Sequence, residues 1–375
     1  MMLRIAITVD PVLPVPPTLY GGIERVVDFL NRELVARGHE VTLFAHPDSR
    51  TPAKLVPYGC PPHTGAKARL TELWQVGAEL YRRRNRLDVV HSFGRLAALL
   101  PILPLKRLAK VQSYQRDGVP WRSVRIATKL AGDSVAFTGC SRSVFRALDD
   151  HPGAGAWRAI FNGVDLDKYT ATASVSPDSP LVFLGRIEPI KGTHHAIEIA
   201  HSAGRSLVIA GNRVDTPEGS AYFNDRIAPH VDGKCVQYVG PVDDAAKNAL
   251  LGRAPALLMP IEWEEPFGIV MAEAFACGTP VIGFRRGSVP DVVIDGLNGY
   301  VVDDVAAAVQ AVGRLPALDR RSIREDCERR FAPRVIADQY ESLYRKVLAG
   351  CRAPERRRHA HSPVITAASP GDAHS

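Results

Sequence analysis

Two carboxylates, Glu265 and Glu273, stand eight positions apart in the apolar stretch EEPFGIVMAEAFACGTPVIGF, residues 264–284. The preceding PALLMP reads as a buried strand and IEWEEPFG as a loop, with a helix expected from Phe267 or Gly268 to about Cys277. The first N–H groups of such a helix have no partner within it, and its dipole is positive there, so its start favours an anion. Gly268 lets a ligand come close to the backbone. Glu265 lies just before this anion position, and Glu273 about one and a half turns inside it, roughly 8 Å along the axis. Carboxylates accept hydrogen bonds from vicinal hydroxyls. A ligand with a hydroxylated ring on each side of a phosphate bridge is a nucleotide sugar. The flanks of Glu273 (Val270, Met271, Ala272, Ala274, Phe275, Ala276) leave little polar face, which disfavours a solvated role. A buried partner for an arginine stays open.

Three further segments carry matching chemistry. In LGRIEPIKG, residues 184–192, Arg186 and Lys191 follow a strand; the first can grip phosphate oxygens bidentately, and the second supplies a point charge. In LYGGIERVV, residues 19–27, two glycines at a helix start, Gly22 among them, suit close approach to phosphate. No G-x-G-x-x-G follows a strand, which argues against a nicotinamide or flavin enzyme. DVVHSFG sets His91 at the carboxyl end of a strand, where a structural and a functional role are equally open. Asp165-Leu166-Asp167 matches D-x-D, but it lies in a loop-like stretch, so no metal site is assigned.

Short β-branched strands alternate with helical stretches, the pattern of parallel α/β folds. Strands are expected at LRIAITV, EVTLFA, DVVHSF, AKVQSY, SVAFTG and RAIFNG, then at LVFLGR, SLVIAG, CVQYVG, PALLMP, PVIGF and GYVV. Between the two sets lies a Ser-, Thr-, Asp- and Pro-rich break. The expected organisation is an N-terminal domain over 1–161, a linker over 162–180 and a C-terminal domain over 181–332. A final helix over 333–350 could pack back on the first domain, and a disordered tail follows over 351–375. Two such domains would leave a cleft between their carboxyl-end loops, where ligands bind in open α/β sheets.

A chain of 375 residues with 46% hydrophobic and 23% charged residues can bury two real cores. No run approaches the ~18 apolar residues of a membrane span, and MMLRIAITVD reads as a strand, not a secretory signal. The six cysteines are far apart without C-x-x-C, as in a cytoplasmic protein with reduced thiols. The net charge of +7 is uneven: residues 1–161 carry 23 Lys+Arg against 13 Asp+Glu. That basic half, including RDGVPWRSVRIATKL (116–130), is compatible with contact at an anionic membrane inner face, and equally with a plain solvated surface. No nucleic-acid motif is present.

Together the four segments resemble the retaining glycosyltransferases of family 4, with the GT-B fold, from YGGIERVV to about Tyr344. The most specific element is E-P-F-G-I-V-M-A-E, the family's E-x7-E motif, supported by GRIEPIKG and FNGVD. The resemblance implies that Arg186 and Lys191 bind the donor diphosphate and that Glu273 holds the ribose. It further implies that Glu265 holds the transferred sugar, with the backbone of Phe267, Gly268 and Ile269 lining sugar and phosphate. Gly22 would approach the phosphate from the N-terminal domain, His91 would contact the sugar near its reacting carbon, and the base would sit near Tyr238 to Pro241. It implies a hexose moved from a UDP-sugar, with a GDP-sugar second, to a hydroxyl acceptor, without a metal or other cofactor. A sugar-nucleotide epimerase would turn over without acceptor, a phosphorylase would carry a pyridoxal, and a non-catalytic sensor would bind nucleotide without turnover.

Overall fold

The β-branched runs form two parallel sheets in a computed structural model of the chain, which describes residues 1–17, 21–59, 66–176 and 178–352. They belong to two units, one of Met1–Phe161 with the chain from Arg334 onward, the other of Asn162–Pro333. The tail expected to be disordered lies, from residue 353, outside the described residues.

In the first unit the strands are β1 (Arg4–Thr8), β2 (Glu40–Ala45), β3 (Lys54–Pro57), β4 (Val89–Ser92), β5 (Ala109–Tyr114), β6 (Val135–Gly139) and β7 (Ala156–Ala159). Their order is β3-β2-β1-β4-β5-β6-β7, with Ile5 opposite Val41 on one side and Val89 on the other. The edge strand β3 was not among the expected ones, and β7 begins two residues before RAIFNG. The direction of winding reverses between β1 and β4, and their carboxyl ends open there into a concavity lined by Thr8, Asp10, Tyr58, Glu72, Gly94 and Arg95.

The helix Gly22–Ala36 buries Val26, Val27, Leu30 and Leu34, spaced for one face. Gly38, at φ +79°, ends it, its N–H donating to Val35 O at 2.9 Å while His39 N–H reaches Leu34 O at 3.1 Å. The helix Pro333–Arg352 completes the same core with Ile336, Tyr340, Leu343, Tyr344, Val347, Leu348 and Cys351, again three and four apart. Thus the last described helix is a core element of the first unit.

The second unit holds β8 (Leu181–Leu184), β9 (Leu207–Ala210), β10 (Val236–Gly240), β11 (Leu257–Met259), β12 (Val281–Phe284) and β13 (Gly299–Val302). All six fall in the expected runs, in the order β10-β9-β8-β11-β12-β13. Winding reverses between β8 and β11, so the loops after these two strands flank a crevice of the kind that binds ligands. The stretch expected as linker is knitted into this unit. Val164 N–H donates to Phe331 O at 2.9 Å and Thr172 N–H to Cys277 O at 3.1 Å. The buried Arg320 guanidinium donates to Thr172 O at 2.7 Å, to Ala254 O at 2.9 Å and to Thr279 Oγ1 at 2.7 Å.

Candidate functional site

The loops leaving β8 and β11 are locked together by backbone. Glu262 N–H donates to Ile190 O at 2.9 Å. Gly192 sits at φ +71°, and a Cβ there would lie 1.8 Å from Pro260 O, so no other residue fits this approach. The apposition brings Lys191 to Glu265, with Nζ 2.5 Å from Oε2 and 4.4 Å from the centre of the Trp263 ring. Trp263 Nε1–H donates to the same carboxylate oxygen at 3.2 Å. Arg186, half exposed, pairs with Glu188 at 2.8 Å.

The loop before the helix is pinned from its other side. Glu264 Oε2 accepts from Gly287 N–H at 2.9 Å, and Glu265 O accepts from Ser288 N–H at 2.8 Å. Buried Phe267 meets the Phe331 ring edge-on at 6.0 Å. Gly268, at φ +68°, precedes the helix Ile269–Ala276, and no side chain caps that helix start. Met271 N–H donates to Gly268 O at 2.9 Å, so the N–H groups before it are the ones that can serve a ligand or water.

Glu273 lies one and a half turns into the helix and is buried. Its Oε1 accepts from Tyr169 Oη at 2.7 Å and from Lys247 Nζ at 2.5 Å. The partner left open in the sequence is therefore a lysine and a tyrosine. Lys247 belongs to the helix Asp244–Arg253, begun by the Asp243 side chain accepting from Ala246 N–H. Nothing in DDAAKNAL marks it as a site residue. Tyr169 lies four residues beyond Asp165, the end of the FNGVD segment that the sequence did single out. Tyr238, on β10, donates to Gly211 O at 2.8 Å, beside Phe223 at 5.1 Å between ring centres.

Arg186, Lys191, Glu265, Phe267, Gly268, Ile269 and Glu273 thus gather around the β8/β11 crevice of one unit. Gly22 begins its helix in the other unit; Leu19 and Tyr20 before it lie outside the described residues. His91 departs from expectation. It is fully buried in the first unit, with Nδ1 2.6 Å from Tyr344 Oη and Nε2 2.7 Å from Ser113 Oγ. Burial alone pushes its pKa down to about 3. Both ring nitrogens are engaged and no surface is exposed, so His91 is a core hydrogen-bonding residue and not a sugar contact.

Among the described residues, one group of three could hold a metal ion: His194, His195 and Glu262. Asp165 and Asp167 instead flank a short turn in which Lys168 pairs with Asp244 at 3.1 Å. Cys140, Cys235, Cys277, Cys327 and Cys351 are free thiols, and Cys60 lies outside the described residues. No described helix is long and apolar enough to cross a membrane.

Residues 171–330 match the family described as Glycosyl transferases group 1, and residues 20–168 match Glycosyltransferase Family 4. The chain is 26% identical over 411 residues to the glycogen synthase of Mycobacterium tuberculosis H37Rv, covering 95% of this chain and 97% of that protein. It superposes on AviGT4, a glycosyltransferase involved in avilamycin A biosynthesis, with TM-score 0.65 and 26% identity over 93% and 98% of the two chains. Anabaena HepE, solved in complex with UDP, shares the fold with TM-score 0.69 and 17% identity over 92% and 100%. The chain is a glycosyltransferase of the GT-B fold.

Proposed function

We propose that the protein is a retaining glycosyltransferase of family 4 that moves a hexose from a nucleoside diphosphate sugar to a hydroxyl acceptor. The observation that carries this reading is the assembly of Lys191, Glu265, the uncapped helix start at Gly268 and Glu273 around one crevice. UDP is the favoured nucleotide and GDP the second. The diphosphate lies on the helix start with Arg186 and Lys191, the ribose hydroxyls reach Glu273, and the sugar hydroxyls reach Glu265. Phe267, Gly268 and Ile269 line sugar and phosphate with their backbone.

In the reaction the bond between the sugar's anomeric carbon and the diphosphate oxygen breaks as the acceptor oxygen bonds to that carbon on the same face. The acceptor's proton passes to the departing phosphate. Positive charge develops on the sugar and negative charge on the diphosphate, and fixed donors aimed at the latter favour that separation. Arg186, Lys191 and the helix dipole supply it without a catalytic metal. Neither carboxylate is assigned the acid–base role of a glycosidase pair.

A peripheral contact of the first unit with anionic lipid at the cytoplasmic face forms part of this reading. It is supported by exposed Ile126 and Leu130 beside Arg122, Arg125 and Lys129 on the helix Trp121–Ala131. Calorimetric titration with UDP, GDP and ADP, without metal and then with magnesium, tests the donor assignment. Tight binding of UDP that magnesium leaves unchanged is expected; failure of all three to bind overturns the reading.

A further inference from the structure

The doublet His194-His195 opens the helix Thr193–Ser202 directly after the Lys191 loop, and Glu262 lies in the loop that leads to Glu265. The donor atoms of the three side chains lie within 4.8 Å of one another. His195 Nε2 is 3.1 Å from Glu262 Oε1. Two ligands of a tetrahedral zinc with bonds of about 2.0–2.1 Å are separated by roughly 3.3 Å, so this pair already has the spacing of one tetrahedral edge. His194 and a water complete the other two corners.

Of the remaining ring nitrogens, one has and the other lies near the kind of partner that metal-bound histidines use. His194 Nδ1 is 2.8 Å from the hydroxyl of buried Tyr222, which leaves Nε2 to bind metal. His195 Nδ1 is buried and lacks a hydrogen bond, with the Glu198 carboxylate 3.6 Å away. A small side-chain turn would make Glu198 its acceptor. Such outer partners fix ring orientation and raise the basicity of the ligating nitrogen. Glu262 is exposed, which gives the ion an entry path.

The geometry points to a zinc-binding site formed by His194, His195 and Glu262 that staples the loop carrying Lys191 to the loop carrying Glu265. The two loops share the Glu262–Ile190 backbone bond, and the ion would add a second, side-chain link beside it. It stands apart from Lys191 and Glu265 themselves and takes no part in bond breaking. Its role is to hold the two loops in register, with a water in the fourth position.

The full-length chain, stripped of metal with a chelator, is titrated with zinc against a chromophoric competitor, and its thermal unfolding is followed with and without zinc. His359, His361 and His374 of the C-terminal segment are replaced together by alanine in a parallel sample, so that binding there is subtracted. One zinc per chain, a rise in unfolding temperature on loading, and at least a hundredfold loss of affinity in both His195→Ala and Glu262→Gln are expected. Glu262 is exposed, so Glu262→Gln keeps the fold and isolates the ligand. Binding unchanged in Glu262→Gln, or lost entirely when the three C-terminal histidines are replaced, overturns the proposal. Neither readout depends on the donor or on turnover, so this result stands apart from the glycosyltransferase reading.

Discussion

Lys191 and Glu265 come from loops 74 residues apart in sequence and meet at 2.5 Å. Both side chains are largely shielded, at 17% and 13% exposure. Without donor, each neutralises the other. On the proposed reading, a bound diphosphate competes for the ammonium and sugar hydroxyls for the carboxylate, so donor binding would exchange one set of charge-assisted bonds for another. The pair would then hold Lys191 ready where the leaving group gathers negative charge.

On the proposed reading, replacing Lys191 by alanine removes a donor whose interaction strengthens as the diphosphate departs. Turnover is expected to fall about a hundredfold or more, as when one transition-state donor is deleted, while the dissociation constant for UDP rises less than about tenfold. Nucleoside diphosphate release under saturating donor gives the first quantity and calorimetry the second. A loss confined to UDP affinity, with turnover intact, would place Lys191 in ground-state binding only.

Glu273 is oriented by Lys247 and Tyr169 rather than left free. Glu273→Ala is expected to weaken UDP about tenfold to a hundredfold, the loss of one or two hydrogen bonds to a charged acceptor. Lys247→Ala leaves that acceptor in place but loosens it, and about a fivefold loss is expected. Calorimetry on both variants decides the order; a Lys247→Ala defect larger than that of Glu273→Ala would make Lys247 itself the ligand contact.

All six strands of the second sheet were legible because each is a short, mostly apolar run with a Gly or Pro at or beside at least one end. β3 was not, since KLVP is four residues long, pairs on one side only and contains a proline. The crevice residues were legible because glycines and charges interrupt otherwise apolar segments there. Lys247 and Tyr169 carry no such interruption, and they reach Glu273 only through the folded chain. His91 was misread for a related reason. Period-two alternation puts Val89 and His91 on one face of β4, but the strand does not say which face is covered. The cover is Tyr340 and Tyr344, some 250 positions later.

Gly268→Ala tests the backbone at the helix start. The φ of +68° costs an alanine about 1–2 kcal/mol, and its Cβ would lie 2.6 Å from Met259 Cε and 3.4 Å from Glu265 Cγ. A stability loss of about 2 kcal/mol or more in denaturant unfolding is expected, together with weakened UDP binding. Unchanged binding in a destabilised variant would mean that the ligand does not approach this backbone.

His91 makes stability depend on pH in a defined window. Its ring is neutral in the folded protein, where burial holds the pKa at about 3, against an ordinary value of 6.5. Between these values the unfolded chain binds a proton that the folded chain does not, so protonation favours unfolding as pH falls. The slope approaches about 1.4 kcal/mol per pH unit, and at pH 5 the cost relative to pH 8 is about 2 kcal/mol. His91→Gln cannot titrate and keeps a polar side chain beside Tyr344 and Ser113. Chemical denaturation of both proteins from pH 8 to pH 4.5 should show the native protein losing stability more steeply below pH 6.5, with the difference between the two curves growing towards pH 4.5. Parallel curves would show that His91 accepts a proton within the folded core, and so that the ring is more accessible than its hydrogen bonds to Tyr344 and Ser113 imply.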